Sequence, residues 1–120
     1  MFYDLHLHSS YSDGENTPEH ILRYAMKTGV KGIAITDHNG IYGAVRFYDY
    51  AKKSGIKPII GVELNLESGH HIILIAKNSA GYSNLCKIIT RAHLSHNKGE
   101  AAARLDVINK YRDNLFCLSA

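Results

Sequence analysis

Residues 2–8 alternate, with Leu5 and Leu7 on one parity and Asp4, His6 and His8 on the other. A period of two predicts a strand with one apolar face that ends in histidines. The stretch 9–16 is polar, after which Thr17 supplies a capping hydroxyl and Pro18 the first helical position. Ile21, Leu22, Ala25 and Met26 then recur at helical spacing up to a stop at Gly29. The apolar run Gly32-Ile33-Ala34-Ile35 predicts a second strand, and Thr36-Asp37-His38-Asn39-Gly40 delivers polar side chains at its C-terminal end. A second helix is expected over 42–54, with Ala44, Val45, Tyr48 and Ala51 inward and Gly55 as its stop. Strands are predicted over 58–66 and 71–76, joined by a turn at Ser68-Gly69, and each carries an ionisable residue among apolar ones. A helix over 82–94 presents Leu85, Ile88, Ile89 and Ala92 inward, a shorter helix covers 106–111, and a last strand covers 115–119.

The order β-α-β-α-β-β-α-α-β argues for an α/β protein with a largely parallel sheet and right-handed crossovers. Two architectures fit. An open doubly wound sheet suits about 100 to 150 residues, whereas a closed (β/α) barrel takes about 250, so a chain of 120 residues would be the first half of one. Either way the chemistry belongs at the C-terminal ends of strands. No repeat or linker divides the chain, and residues 1–120 read as one domain.

Composition narrows the classes. With 45% hydrophobic and 21% charged residues the chain is globular and not disordered. Fourteen Lys and Arg against eleven Asp and Glu give +3, too mild for a dense basic face. No basic stripe with interleaved aromatics is visible, so weak affinity for single strands is expected, with Tyr42, Tyr48 and Tyr50 packing on the second helix. The N-terminus has no secretory pattern and no run approaches a membrane span, which predicts a cytoplasmic protein without a membrane partner. Cys86 and Cys117 lie in apolar surroundings and are expected to be reduced, buried thiols.

The eight histidines carry the candidate chemistry. In His6-Leu7-His8, strand alternation puts both imidazoles on one side, about 7 Å apart at Cα, where they can converge on one metal ion. Asp13, in Tyr11-Ser12-Asp13-Gly14, sits in a turn able to fold its carboxylate back over that strand end. His38 ends strand two, Glu63 falls late in strand three, and His71 opens strand four. This mixture of imidazoles and carboxylates, without paired thiolates, suits Zn, Mn or Fe in a hydrolytic site that activates water and neutralises a phosphoryl oxygen. More than four ligands implies more than one ion, with Glu63 able to bridge because a carboxylate has two oxygens. Asp37 suits a place behind the ligands, orienting a ligand imidazole by a hydrogen bond. Taken singly, each residue has an ordinary reading as a solvated or turn residue; their joint placement at four successive strand ends is what points to a site. His20, His93 and His96, on or beside helices, read as solvated surface residues.

Asp4-Leu5-His6-Leu7-His8-Ser9, Tyr11-Ser12-Asp13-Gly14, Ile35-Thr36-Asp37-His38, Pro58-Ile59-Ile60-Gly61-Val62-Glu63 and His71-Ile72-Ile73-Leu74-Ile75-Ala76-Lys77-Asn78 together resemble the PHP (polymerase and histidinol phosphatase) superfamily. Tyr42-Gly43-Ala44-Val45-Arg46-Phe47, Gly81-Tyr82-Ser83-Asn84-Leu85-Cys86, Arg91-Ala92-His93-Leu94 and Leu115-Phe116-Cys117-Leu118-Ser119 are similar to the N-terminal PHP domain of bacterial DNA polymerase III alpha subunits, the error-prone branch above all. The resemblance implies the first part of a distorted seven-stranded (β/α) barrel with helices outside and a cleft for up to three divalent ions. It implies phosphoester hydrolysis in stand-alone members, 3′ to 5′ exonuclease activity in some polymerases and a purely structural role in others. By motif, His6 and His8 would hold the first metal with Glu63, Asp13 and His38 the second, and His71 a third bridged by Glu63. His6, His8 and Glu63 would then flank the water that attacks phosphorus.

In the family the pattern continues past Leu118-Ser119 to a Cys or His ligand and later an Asp-x-His pair, whereas this sequence stops at Ala120. The resemblance therefore implies one missing ligand per metal. The partners it implies are a phosphoester, such as a DNA 3′ end, and either the remainder of a polymerase or a second copy covering the open sheet edges. A structural module with a remnant site and a stand-alone phosphatase of the histidinol-phosphate type are the alternatives.

Overall fold

The computed structural model describes residues 2–120. Local chemistry fixes the first two helices. The Thr17 side chain accepts from His20 N–H at 3.3 Å and Pro18 follows, so α1 (Pro18–Thr28) begins where its orphan amides find a partner, and it ends at Gly29 with φ 76°. The next helix, α2 (Ala44–Ser54), likewise stops at Gly55 with φ 73°. A longer helix, α3 (Ser79–Leu94), starts three residues earlier than its apolar spacing suggests, because the Asn78 side chain accepts from Gly81 N–H at 2.9 Å. The last, α4 (Leu105–Lys110), is a short helix.

Five strands, β1 (Tyr3–Asp4), β2 (Gly32–Ile35), β3 (Lys57–Asn65), β4 (His71–Ala76) and β5 (Leu115–Ser119), form one sheet in sequence order that curls into a half-barrel. The α/β half-barrel is the expected class, but the pairing is evenly mixed. β1, β2 and β3 run parallel, whereas β3 with β4 and β4 with β5 are antiparallel. The cause is the tight hairpin at Ser68-Gly69, where Leu66 N–H donates to His70 O at 2.8 Å and Gly69 takes φ 89°, so β4 must reverse direction. The first strand is also far shorter than its alternation predicts, with only Tyr3 and Asp4 joining the ladder.

Alternation along the strands sorts the core into two faces. Ile33 and Ile35 pack against Ile21, Leu22, Ala25, Phe47 and Ala51 of α1 and α2. Val62, Leu64 and Leu74 pack against Leu85, Ile88 and Ile89 of α3. The helix-free face holds Ala34, Ile73 and Ile75 with Ile59 and Leu118, and the same parity places Glu63 and His71 on it. Three expectations are corrected. On α2, Phe47 is buried in place of Val45 and Tyr48, which are exposed. Tyr42, Tyr48 and Tyr50 all face solvent, Lys52 and Lys53 lying over the rings of Tyr48 and Tyr50 at 5.8 and 6.0 Å. Cys86 is only half-buried and Cys117 is exposed on β5.

Candidate metal centre

Beyond Asp4 the chain leaves the ladder but stays beside the end of β2, held there by a buried threonine. Thr36 N–H donates to Leu7 O at 2.8 Å, its Oγ1 accepts from Leu7 N–H at 3.0 Å, and its hydroxyl lies 3.2 Å from the same carbonyl. Leu7 is thereby clamped, and the flanking His6 and His8 rings meet with centroids 5.4 Å apart. A side-chain clamp does here what strand pairing was expected to do.

The loop after His8 is folded back on itself. Ser9 O accepts from Ser12 N–H at 3.1 Å and Gly14 N–H at 2.9 Å. The Asp37 carboxylate, 2% exposed, accepts from Ser9 N–H at 2.6 Å and from the Ser9 and Ser12 hydroxyls at 2.7 Å each. Gly14 passes so close to the chain that a Cβ there would stand 2.2 Å from His8 O. The result is that Asp13 reaches back to contact His8 Nδ1 and lies 3.7 Å from His38 Nε2. The Asp37 carboxylate, expected from sequence to orient an imidazole, takes its hydrogen bonds from Ser9 and Ser12 instead and so holds the loop that carries Asp13.

His38 and Glu63 are brought together by main-chain bonds that continue the β2–β3 pairing as an isolated bridge. Glu63 N–H donates to Asp37 O at 3.0 Å, and Asn39 N–H donates to Glu63 O at 2.9 Å. Asn39 adopts φ 51°, its side chain accepts from Asn65 N–H at 2.9 Å, and its carbonyl meets His93 Nε2 at 2.6 Å. His93 is thus half-buried and anchors α3 to the site, not solvated as its helical setting suggested. His96 is also half-buried, 3.3 Å from Glu67; His20 is exposed as expected.

Glu63 is the centre of the arrangement, a carboxylate only 6% exposed. His6 Nε2 and His8 Nε2 approach its Oε1, the latter at 3.0 Å, while His38 Nε2 and His71 Nδ1 each lie 3.1 Å from Oε2. The ring centroids of His8 and His38 are 5.0 Å apart and those of His38 and His71 5.3 Å. Burial alone would push the Glu63 carboxyl up, but hydrogen bonds from His6 and His71 and the charge of His38 outweigh it and hold it below its ordinary value. For Asp13 the small desolvation is likewise overcome by the charge and hydrogen bond of His8, then by His38.

All six candidate ligands therefore converge. Donor atoms of His6, His8 and Glu63 lie within 4.8 Å of one another, as do those of His8, Asp13 and His38, and those of His38, Glu63 and His71. A buried carboxylate ringed by four imidazoles, with no Lys or Arg among its contacts, is the donor chemistry that divalent cations satisfy. A neutral imidazole has one free lone pair, so His8 and His38 each serve one ion, whereas Glu63 has an oxygen for either side. The sequence reading missed the residues behind this set, namely Thr36, Ser9, Ser12, Asn39 and His93. Their only local signal is an Asn at a position after a strand where a left-handed residue is needed.

A mixed half-barrel with imidazoles and carboxylates gathered at its strand ends defines a class, and the chain belongs to it: residues 4–120 match the PHP domain family. The chain is 38% identical to the DNA polymerase III subunit alpha of Borreliella burgdorferi over 99% of its own length and 12% of that protein. It is 37% identical to the error-prone DNA polymerase of Symbiobacterium thermophilum, over 98% of its length and 12% of the relative. The chain thus spans about an eighth of these polymerases. Among solved structures, a two-domain protein from Bacteroides vulgatus containing a predicted PHP-like metal-dependent phosphoesterase superposes with TM-score 0.66 at 19% identity, over 96% of this chain and 33% of that one, a likeness of fold. No helix among the described residues is long and apolar enough to cross a membrane.

Proposed function

We propose that this PHP domain holds two or three divalent ions, zinc, manganese or iron, and hydrolyses phosphoesters, with the 3′ end of DNA as substrate, as part of a cytoplasmic polymerase. The observation that carries the reading is Glu63, buried and ringed by four imidazoles with Asp13 at the rim. His6 and His8 with Glu63 form one set, Asp13 with His38 a second, and His71 with the far oxygen of Glu63 a third. Ions bound there supply Lewis-acid activation of water and charge neutralisation at a phosphoryl group. Glu63 keeps the sets at a fixed spacing, and its burial excludes bulk water from one side. Asp13 and His71, both exposed, leave the other side open to a phosphoester. The polymerase relatives support a nucleic-acid substrate.

The test is turnover of bis(p-nitrophenyl) phosphate and of a 3′-labelled oligonucleotide by metal-loaded full chain, with elemental analysis on the same samples. EDTA, His8→Ala and Glu63→Gln are each expected to reduce turnover by more than about a hundredfold, since even outer-shell changes at metal sites cost ten- to a hundredfold. Turnover that survives chelation and both substitutions would refute the reading. Bound metal without turnover would favour a purely structural role.

A further inference from the structure

Two aromatic rings stand in the open on segments that also carry ligands of this cluster. Tyr42 is 67% exposed and Tyr11 41%. Both are laid against glycines. A Cβ on Gly40 would stand 2.3 Å from Tyr42 Cε2, and one on Gly43 would stand 2.9 Å from Tyr11 Cδ2. Each ring therefore rests on the main chain of the 40–43 turn and keeps much of its remaining surface in solvent. That turn follows His38, and Tyr11 shares its loop with Asp13. Neither ring belongs to the core.

Cationic groups lie alongside Tyr11. Arg46 Nη1 is 3.4 Å from the Tyr11 hydroxyl and its Nε is 2.8 Å from Glu19. Tyr11, His20, Arg23, Arg46 and Tyr50 line a hollow of about 380 Å³, two guanidiniums against the single carboxylate of Glu19. Solvent-facing rings beside guanidiniums are the two elements by which proteins hold single strands: bases stack on the rings whatever their identity, and phosphates follow the positive charge. In a duplex the base faces are occupied by their neighbours, so such rings favour unpaired ends.

We propose that Tyr11 and Tyr42 form a stacking platform for the unpaired bases of single-stranded DNA, with Arg23 and Arg46 on its phosphates, beside the cluster. The proposal rests on the phosphoesterase reading for its purpose but not for its test. The sequence shows no basic stripe with interleaved aromatics, because Tyr11 and Arg46 lie 35 residues apart and meet only in the fold.

The experiment measures binding of two fluorescein-labelled oligomers of equal length by anisotropy in EDTA: an oligothymidylate and its abasic counterpart, with the same phosphates but no bases. The full chain is expected to bind the oligothymidylate about tenfold more tightly than the abasic strand, the scale of one stacked base. Tyr42→Ala and Tyr11→Ala should each reduce that preference, read as the ratio of the two affinities for each variant, and Tyr42→Phe, which keeps the ring, should retain it. Equal affinity of the two oligomers, or a preference that survives both alanine variants, would overturn the platform. Loss of the preference in Tyr42→Phe as well would also overturn it, because stacking needs the ring and not the hydroxyl. Because EDTA removes hydrolysis from this measurement, failure of the platform is distinct from failure of phosphoesterase turnover.

Discussion

Gly14→Ala isolates the folded-back loop from everything else in the molecule. The added Cβ would stand 2.2 Å from His8 O and 2.6 Å from His8 C, both main-chain atoms that cannot swing away. Restoring even a 3.0 Å contact requires the loop to recede by at least about 0.8 Å, whereas metal–ligand distances tolerate only about 0.2 Å. Asp13, the preceding residue, should therefore leave His8 and His38, and the ion held by that set should bind at least about a hundredfold more weakly. The set of His6 and Glu63, anchored by the Thr36 clamp and β3, should persist. The assay is metal stoichiometry and chelator-competition affinity, with thermal unfolding of the metal-free chain as the fold control. The comparison variant is Gly29→Ala, where φ is 76° but a Cβ would meet nothing within 4 Å. It should cost about 1 kcal/mol of stability and leave metal binding alone. A Gly14→Ala chain with unchanged stoichiometry and affinity would refute the argument that this glycine places Asp13.

Two further outcomes are expected. Phe47, fully buried against α1 and β2, should cost about 3–5 kcal/mol as Phe47→Ala and lower the melting temperature by about 12–20 °C, whereas Val45→Ala on the exposed side should move it by less than about 2 °C. The folded-state pKa of Glu63 lies below its ordinary value of 4.5, so the metal-free chain gains stability from this group above that value and loses it as pH falls through the lower folded-state value. Denaturant titrations between pH 6 and 3 should show a steeper acid loss in the wild type than in Glu63→Gln, and parallel curves would contradict it.

What the sequence disclosed and what it hid follow from the range of the interactions concerned. The caps at Thr17, Gly29 and Gly55 act within a few residues, and the helices they bound were readable. The convergence of His38, Glu63 and His71 was readable because each lies at or near a strand end, and α/β strand ends converge, whereas Asp13 arrives through its folded-back loop. Phe47 was passed over because helical spacing allows a face through 44, 47 and 51 as readily as one through 44, 48 and 51, and only the packing of α1 chooses between them. The clamp of Leu7 by Thr36 spans 29 residues and leaves no trace in local alternation, so strand one looked longer than its ladder. His93 read as surface because nothing in α3 announces that its flank meets the left-handed turn at Asn39. Asp37 read as a ligand's companion, yet its partners are serines 25 and 28 residues away.

The wide separation of the groups around Glu63 also has a kinetic consequence. Glu63 gathers His6 and His8 across 57 and 55 residues and His71 across only 8. Closing the long loops is an entropic cost met before any donor set exists, so the chain must find its parallel β1–β2–β3 order unaided. A cation that binds only the assembled sets stabilises the finished state and leaves the folding transition state untouched. Its effect then falls on the unfolding rate, making the centre a lock set after folding and not a template for it.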